Sequence, residues 1–171
     1  MKLTDEQKQT LENIYQTFLS DQRILRMKEI PMHRGSNCYE HSFKVAKKAI
    51  KTAIRLFKRD IDLEVVLIGA ILHDYYLYDW RANREYRKGH AKNHEKIASE
   101  NASRDFDVPL EIKKVIESHM WPFNIKSFPN TREARIVSMA DKHVATIEAF
   151  TSKKYKVKKR ETYLKYISTL F

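Results

Sequence analysis

The sequence predicts an all-α fold, arranged as a compact single-domain helical bundle. Only three glycines and four prolines occur in 171 residues, whereas barrels and sandwiches need many tight turns built from these two residue types. Hydrophobic residues make up 42% of the chain, and they recur at spacings of three and four, as they do on one face of a helix. The length suits one domain, which we assign to residues 1–150, followed by a basic and partly helical tail over 151–171.

Helices are predicted in chain order from capping residues and apolar stripes. Thr4 and Gln7 form the capping-box pattern that begins the first helix. Asp62 caps a helix in which residues 65–72 are apolar nearly all round, which is typical of a central, buried helix. The predicted helices cover residues 5–19, 22–28, 39–58, the segment after Asp62, 92–104, 109 to before 122, and 132–150. Loops are predicted over residues 30–37, 79–88 and 123–130.

The net charge of +11 is unevenly distributed, because residues 151–171 alone carry a net charge of +6. A basic cluster of this kind attracts nucleic acid and other polyanions in a salt-sensitive manner. The tail contains no nucleic-acid-binding motif, so a solvated segment that aids solubility is the favoured interpretation, and nucleic acid stays a partner to be tested.

The sequence gives little sign of a membrane or secretory context. No apolar run approaches the roughly 20 residues that a membrane span needs, and the N-terminus lacks the apolar core of a signal peptide. We therefore expect a cytoplasmic protein with no membrane partner. Cys38 is the sole cysteine, which excludes an internal disulfide framework and a cysteine-rich zinc site.

Polar side chains occur where apolar ones are expected. His73 and Asp74 directly follow the most apolar segment, Asp141 lies on an apolar helix face, and His41 and His119 lie at the ends of apolar stripes. Each alone has a structural explanation, such as a hydrogen-bonded core histidine or a carboxylate paired with an arginine. Their occurrence on four predicted helices favours one shared cause. A divalent metal is such a cause, because it compensates for burial of the carboxylates and binds neutral imidazole well.

Three further histidines are candidates of different strength. His90 and His94 are four residues apart and share a face if the helix extends to both. His33 lies in the loop that contains Pro and Gly, where it can touch a substrate. His143 lies about 200° around its helix from Asp141, so we interpret it as a surface or structural residue.

The order of His41, the doublet His73–Asp74 and Asp141 resembles the HD-domain superfamily of metal-dependent phosphohydrolases. The segments 39–42, 72–74 and 139–142 carry this likeness. The segments around His94 and His119 resemble a bacterial subgroup of small HD proteins. The resemblance covers residues 33–150 and implies that the helical bundle is of the HD-domain type.

The resemblance also implies a ligand set. His41, His73, Asp74 and Asp141 would bind a first divalent metal, while Asp74 would bridge to a second ion held by His94 and His119. Because imidazole dominates this set, it favours one or two ions of Fe, Mn, Ni, Co or Zn. The implied reaction is hydrolysis of a phosphate ester by metal-activated water, with a monoester or diester of a phosphorylated small molecule or nucleotide as substrate.

Positive groups near such a site would orient the phosphate, although a solvent-facing charge is an equal alternative for each of them. His90 is a candidate proton donor to the leaving group. The candidate catalytic residues are Asp74, His90 and Lys142, and the candidate substrate contacts are Arg34, Arg81, Lys142 and His33. Of the aromatic residues after the doublet, Tyr75 and Tyr76 are expected in the core, and Tyr78 and Trp80 are candidates for a pocket wall.

A second interpretation belongs to another class of function. The chain could be a non-catalytic binding module that keeps a metal as a structural element and contacts nucleic acid or an acidic partner through its basic tail. A purely structural helical protein, which binds no metal, is the third interpretation. The sequence predicts no oligomeric state.

Overall fold

The computed structural model describes residues 3–32, 35–57, 60–82 and 84–150, and over these residues the fold is all-α, as the sequence predicts. The helices are α1 (Asp5–Ser20), α2 (Gln22–Leu25), α3 (Cys38–Leu56), α4 (Leu63–Leu72), α5 (Arg84–Phe106), α6 (Leu110–Ser118) and α7 (Arg132–Phe150). A short 3₁₀ helix, Arg26–Glu29, directly follows α2. The predicted helical character of the tail falls on residues 151–171, which lie outside the described residues.

Side-chain caps begin several of these helices. Thr4 Oγ1 accepts a hydrogen bond from the backbone of Gln7 at 3.1 Å, and the Gln7 side chain accepts one from the Thr4 backbone at 3.0 Å. This reciprocal pair is the predicted capping box. The side chains of Asn37 and Asp62 cap α3 and α4 in the same way, by accepting from backbone N–H groups of the first turn.

Two predicted boundaries were wrong. Residues 84–88 were predicted as part of a loop, but they form the first turns of α5. These residues are strong helix formers with no apolar stripe, so the periodicity that marks a packed helix is missing there. The predicted helix over residues 22–28 instead divides into α2 and the 3₁₀ helix.

Helix α4 is the centre of the bundle. It contacts α1, α3, α5, α6 and α7, and seven of its ten residues are buried. A helix surrounded in this way by other helices ends among their side chains. The chain after Leu72 therefore delivers its next residues, His73 and Asp74, into the interior.

The remaining core agrees with the aromatic and cysteine interpretations. Tyr75 and Tyr76 are buried, and the Tyr75 hydroxyl donates to Asp105 at 2.9 Å. Cys38 is buried as a free thiol that contacts the Tyr76 hydroxyl. Among the described residues, no helix combines the length and the apolar composition needed to cross a membrane.

Gly69→Ala is expected to lower the free energy of unfolding by about 1–3 kcal/mol. The added Cβ would lie 2.6 Å from Val115 Cγ1 and 3.0 Å from Val115 Cβ, so α4 and α6 would have to separate. Urea denaturation followed by circular dichroism measures the change. Gly89→Ala is the matched control, because the added Cβ would lie 3.8 Å from Asn93 Nδ2, an ordinary contact, and it should stabilise by up to about 1 kcal/mol. Equal effects of the two substitutions would contradict the close approach of α4 and α6.

Candidate metal centre

The six candidate metal ligands lie together in the interior. His41 is on α3, His94 on α5 and Asp141 on α7, while His73 and His119 cap the C-terminal ends of α4 and α6. None of the six, Asp74 included, is more than 7% exposed. They form three overlapping groups whose potential ligand atoms lie within 4.8 Å of one another: His41, His73 and Asp74; His73, His119 and Asp141; and Asp74, His94 and His119.

Asp74 lies between two sets of imidazoles. Its Oδ2 is 3.2 Å from His73 Nε2 and 3.8 Å from His41 Nε2. Its Oδ1 is 3.6 Å from the Nε2 atoms of both His94 and His119. One carboxylate oxygen therefore faces each set, which is the arrangement that a bridging ligand between two ions requires.

Three of the histidines present a lone pair to Asp74 because their other ring nitrogen is occupied. His73, His94 and His119 each use Nδ1 in a hydrogen bond to a backbone carbonyl three or four residues earlier in the chain. A carbonyl only accepts, so Nδ1 carries the hydrogen and Nε2 is free to act as a ligand. The acceptors are the carbonyls of Ala70, His90 and Ile116, at 2.8, 2.8 and 2.7 Å.

These lone pairs need a cation. His94 Nε2 and His119 Nε2 are only 3.1 Å apart, and the buried His73 Nε2 has no hydrogen-bond partner among the described residues. Burial, with the neighbouring His73 ring, lowers the pKa of His119 to about 3, so His119 holds no extra proton at neutral pH. A metal ion fits this donor set, since four imidazoles and two carboxylates suit divalent transition metals.

His41 is held differently from the other three. Its Nε2 is 3.1 Å from Asp141 Oδ1, and its Nδ1 is 2.9 Å from Glu148 Oε2. Burial disfavours the charged ring, but the hydrogen bonds to these two carboxylates outweigh it and raise the pKa of His41 to about 10. In the metal-free protein His41 is therefore a cation that donates from both nitrogens.

Lys142, predicted as a catalytic and phosphate-binding residue, forms hydrogen bonds to two of the candidate metal ligands. Its Nζ donates to Asp141 Oδ2 at 2.9 Å and to the carbonyl of His119 at 2.6 Å. Its side chain is 26% exposed, so part of it reaches the surface. Lys142 thus joins α6 to α7 at the point where each supplies a candidate metal ligand.

His90 lies in an aromatic stack beside the centre. Its ring is stacked between Trp80 and His94, with centroid distances of 5.1 and 4.5 Å, and the Tyr78 hydroxyl is 2.9 Å from its Nδ1. Burial and the neighbouring His94 lower the pKa of His90 to about 4, so the ring is neutral at pH 7. Its role as a proton donor stays a prediction.

The remaining predicted contacts lie at or beyond the edge of the site. Arg81 is exposed, donates to the carbonyl of Met32 and lies 4.9 Å from the centroid of the Trp80 ring. His143 is exposed, as the helical geometry predicts. His33 and Arg34 lie outside the described residues.

Sequence reasoning missed Glu148. This residue is buried in the last turn of α7, seven positions after Asp141 and on the same helical face. Burial opposes its charge, but the hydrogen bond from His41 and the neighbouring Lys44 lower the pKa of Glu148 to about 2. Its spacing from Asp141 and Val144 was the available signal, because an acid that continues an apolar stripe is a candidate for burial.

The family model of the HD domain matches residues 38–146. The chain belongs to the HD-domain family. Its members are generally metal-dependent phosphohydrolases, and the six candidate ligands of this HD domain all lie inside the matched range. A search of curated proteins and a search of solved structures each found no match.

The affinity of this HD domain for Mn²⁺ is expected to rise with pH, by about tenfold per unit between about pH 6 and pH 8. The pKa of His41 lies above this range, so its Nε2 proton must leave when a metal binds, and a lower pH makes that loss more costly. Isothermal titration in buffers of different ionisation enthalpy counts the released protons. A constant affinity without proton release would contradict the expectation that His41 loses its Nε2 proton when it binds a metal.

Proposed function

We propose that this HD domain hydrolyses a phosphate ester, a monoester or diester of a phosphorylated small molecule or nucleotide. The observation that carries the proposal is the position of Asp74, with one carboxylate oxygen toward His41 and His73 and the other toward His94 and His119. This geometry suits a pair of metal ions, which is a common arrangement for displacement at phosphorus.

The six residues divide naturally between two ions. A first ion would be held by His41, His73, Asp74 and Asp141, and a second by Asp74, His94 and His119. Bound ions of this kind lower the pKa of water and neutralise charge on phosphoryl oxygens. The candidate ions are Fe, Mn, Ni, Co and Zn, according to the donor set.

Other features of this HD domain would position the candidate ligands and attract the anionic substrate. Lys142 contacts Asp141 at 2.9 Å, and its partly exposed side chain would place a positive charge where it can orient a phosphate oxygen. The net charge of +11 draws anionic substrates toward the protein as a whole. Asp74 is buried among the candidate histidine ligands, which restricts the positions its side chain can take.

The aromatic stack supports a nucleotide-like substrate. Trp80 and His90 lie nearly parallel, with 13° between their planes, and His90 stacks directly on the candidate ligand His94. Both faces of the His90 ring are covered, by Trp80 and by His94, so a base would pack against Trp80 rather than His90. Arg81, which lies beside the Trp80 ring, adds a positive charge at the same edge.

The alternative function, a binding module that uses the basic tail, depends on residues 151–171. These lie outside the described residues, so the alternative stays a prediction of the sequence. Salt-sensitive RNA binding that is lost on removal of residues 151–171, together with inactivity on phosphate esters, would favour it.

Protein from metal-supplemented cultures is expected to contain metal and to hydrolyse p-nitrophenyl phosphate or its bis ester. The first substrate reports monoesterase activity and the second diesterase activity. His73→Ala and Asp74→Ala should each lose metal and at least about 100-fold in kcat/KM, because each removes a candidate ligand at the centre of the cluster. Elemental analysis and steady-state kinetics measure these effects.

His143→Ala is the matched control for this test, because it removes an exposed histidine from the helix that carries Asp141. It should change neither metal content nor rate. A wild-type protein without metal, or variants of His73 and Asp74 with full activity, would falsify the proposed function.

Lys142→Met is expected to lower kcat/KM by about 10–100-fold, because it removes a cation that contacts Asp141 and can reach the substrate phosphate. Lys142→Arg should recover part of the loss, since it keeps the charge. Lys92→Met, at an exposed position on α5, is the control for the change in net charge. Equal rates for the Lys142 and Lys92 variants would argue against a role for Lys142.

A further inference from the structure

Glu148 is a buried carboxylate that lies outside the residues matched by the HD-domain family. It is 3% exposed and lies two residues beyond the end of the matched range, in the last turn of α7. Burying an ionised carboxylate is costly unless its oxygens receive hydrogen bonds or a cation. The contacts of Glu148 therefore indicate what the residue does.

Donors from α3 and from the segment before it surround Glu148. Its Oε2 accepts from His41 Nδ1 at 2.9 Å and from Ser36 Oγ at 3.3 Å. Its Oε1 accepts from Lys44 Nζ at 2.6 Å. His41 and Lys44 are one helical turn apart, so both reach the same carboxylate from one face of α3.

His41 differs from the other candidate histidine ligands in the partner of its Nδ1. His73, His94 and His119 use a backbone carbonyl from their own neighbourhood in sequence. His41 instead uses the side chain of Glu148, 107 residues later in the chain. A carboxylate is the stronger acceptor, so it fixes the ring orientation and makes the opposite nitrogen a better metal ligand.

We propose that Glu148 is a positioning residue of the metal centre: its carboxylate holds the Nδ1 hydrogen of His41 and so directs His41 Nε2 toward the metal. The inference rests on the proposed function, because it presupposes that His41 is a metal ligand. Lys44 donates to Oε1 of Glu148, the oxygen that does not accept from His41. Its ammonium lies beside Glu148 rather than beside a candidate ligand.

A simpler structural role gives a different expectation. If Glu148 served only as an ion-pair partner of Lys44, removal of either residue would have the same small effect. If Glu148 positions His41, removal of Glu148 should weaken metal binding, whereas removal of Lys44 should leave most of it intact. The comparison of the two residues therefore separates the two roles.

The test uses the full chain as wild type, Glu148→Ala, Glu148→Gln and Lys44→Met. Co²⁺ affinity is measured by isothermal titration, the ligand geometry by the visible spectrum of bound Co²⁺, and folding by circular dichroism. Glu148→Ala should weaken Co²⁺ binding by about 10–100-fold and change the spectrum. Glu148→Gln should lie between, because its amide oxygen still accepts from His41, and Lys44→Met should lose less than about threefold.

Each outcome bears on one or both of the two proposals. Wild-type protein that binds no metal overturns both of them. Metal binding by the wild type without hydrolysis of any ester overturns the proposed function alone. Glu148 variants that bind Co²⁺ within about twofold of wild type with an unchanged spectrum overturn the positioning role alone. A Lys44→Met loss as large as that of Glu148→Ala does the same. If Glu148→Ala does not fold, the isosteric Glu148→Gln decides by the same criterion.

Discussion

The organisation of this protein depends on one buried carboxylate. Asp74 is 3% exposed, and burial would favour the neutral form of its carboxyl group, so a cation at this centre would keep it ionised. Two helices end at this point, since His73 and His119 cap the C-terminal ends of α4 and α6. Helix C-termini carry partial negative charge, so the backbone itself adds to the attraction for a cation. The bundle thus concentrates negative charge and nitrogen lone pairs at its centre.

His41 is the residue at which a proton and a metal ion would compete for this centre. The pKa of His119 is about 3, so at neutral pH it presents a lone pair, whereas the pKa of His41 is about 10 and its ring is charged. Without a metal, the proton on His41 compensates for the carboxylates of Asp141 and Glu148. The charges of these two carboxylates are therefore balanced in part by His41 itself.

Much of this arrangement could be predicted from the sequence, because polar residues next to strongly apolar segments are expected to be buried with them. His73 and Asp74 follow an apolar helix, so they had to end inside the protein, and the structure brings them together with His41 and Asp141. The beginning of α5 could not be predicted in this way, because Arg84, Glu85, Arg87 and Lys88 are exposed and the segment carries no apolar stripe. The partners of Lys142 and Glu148 depend on how α6 and α3 approach α7, and that is a property of packing.

The position of Glu148 has a consequence for the choice of fragment boundaries in this chain. The matched family range, residues 38–146, holds all six candidate ligands but stops short of the carboxylate that anchors one of them. A fragment trimmed to that range would keep every ligand in sequence and lose the outer support of His41, along with Ser36 on the other side. A fragment that is to keep these contacts must therefore extend at least from Ser36 to Glu148.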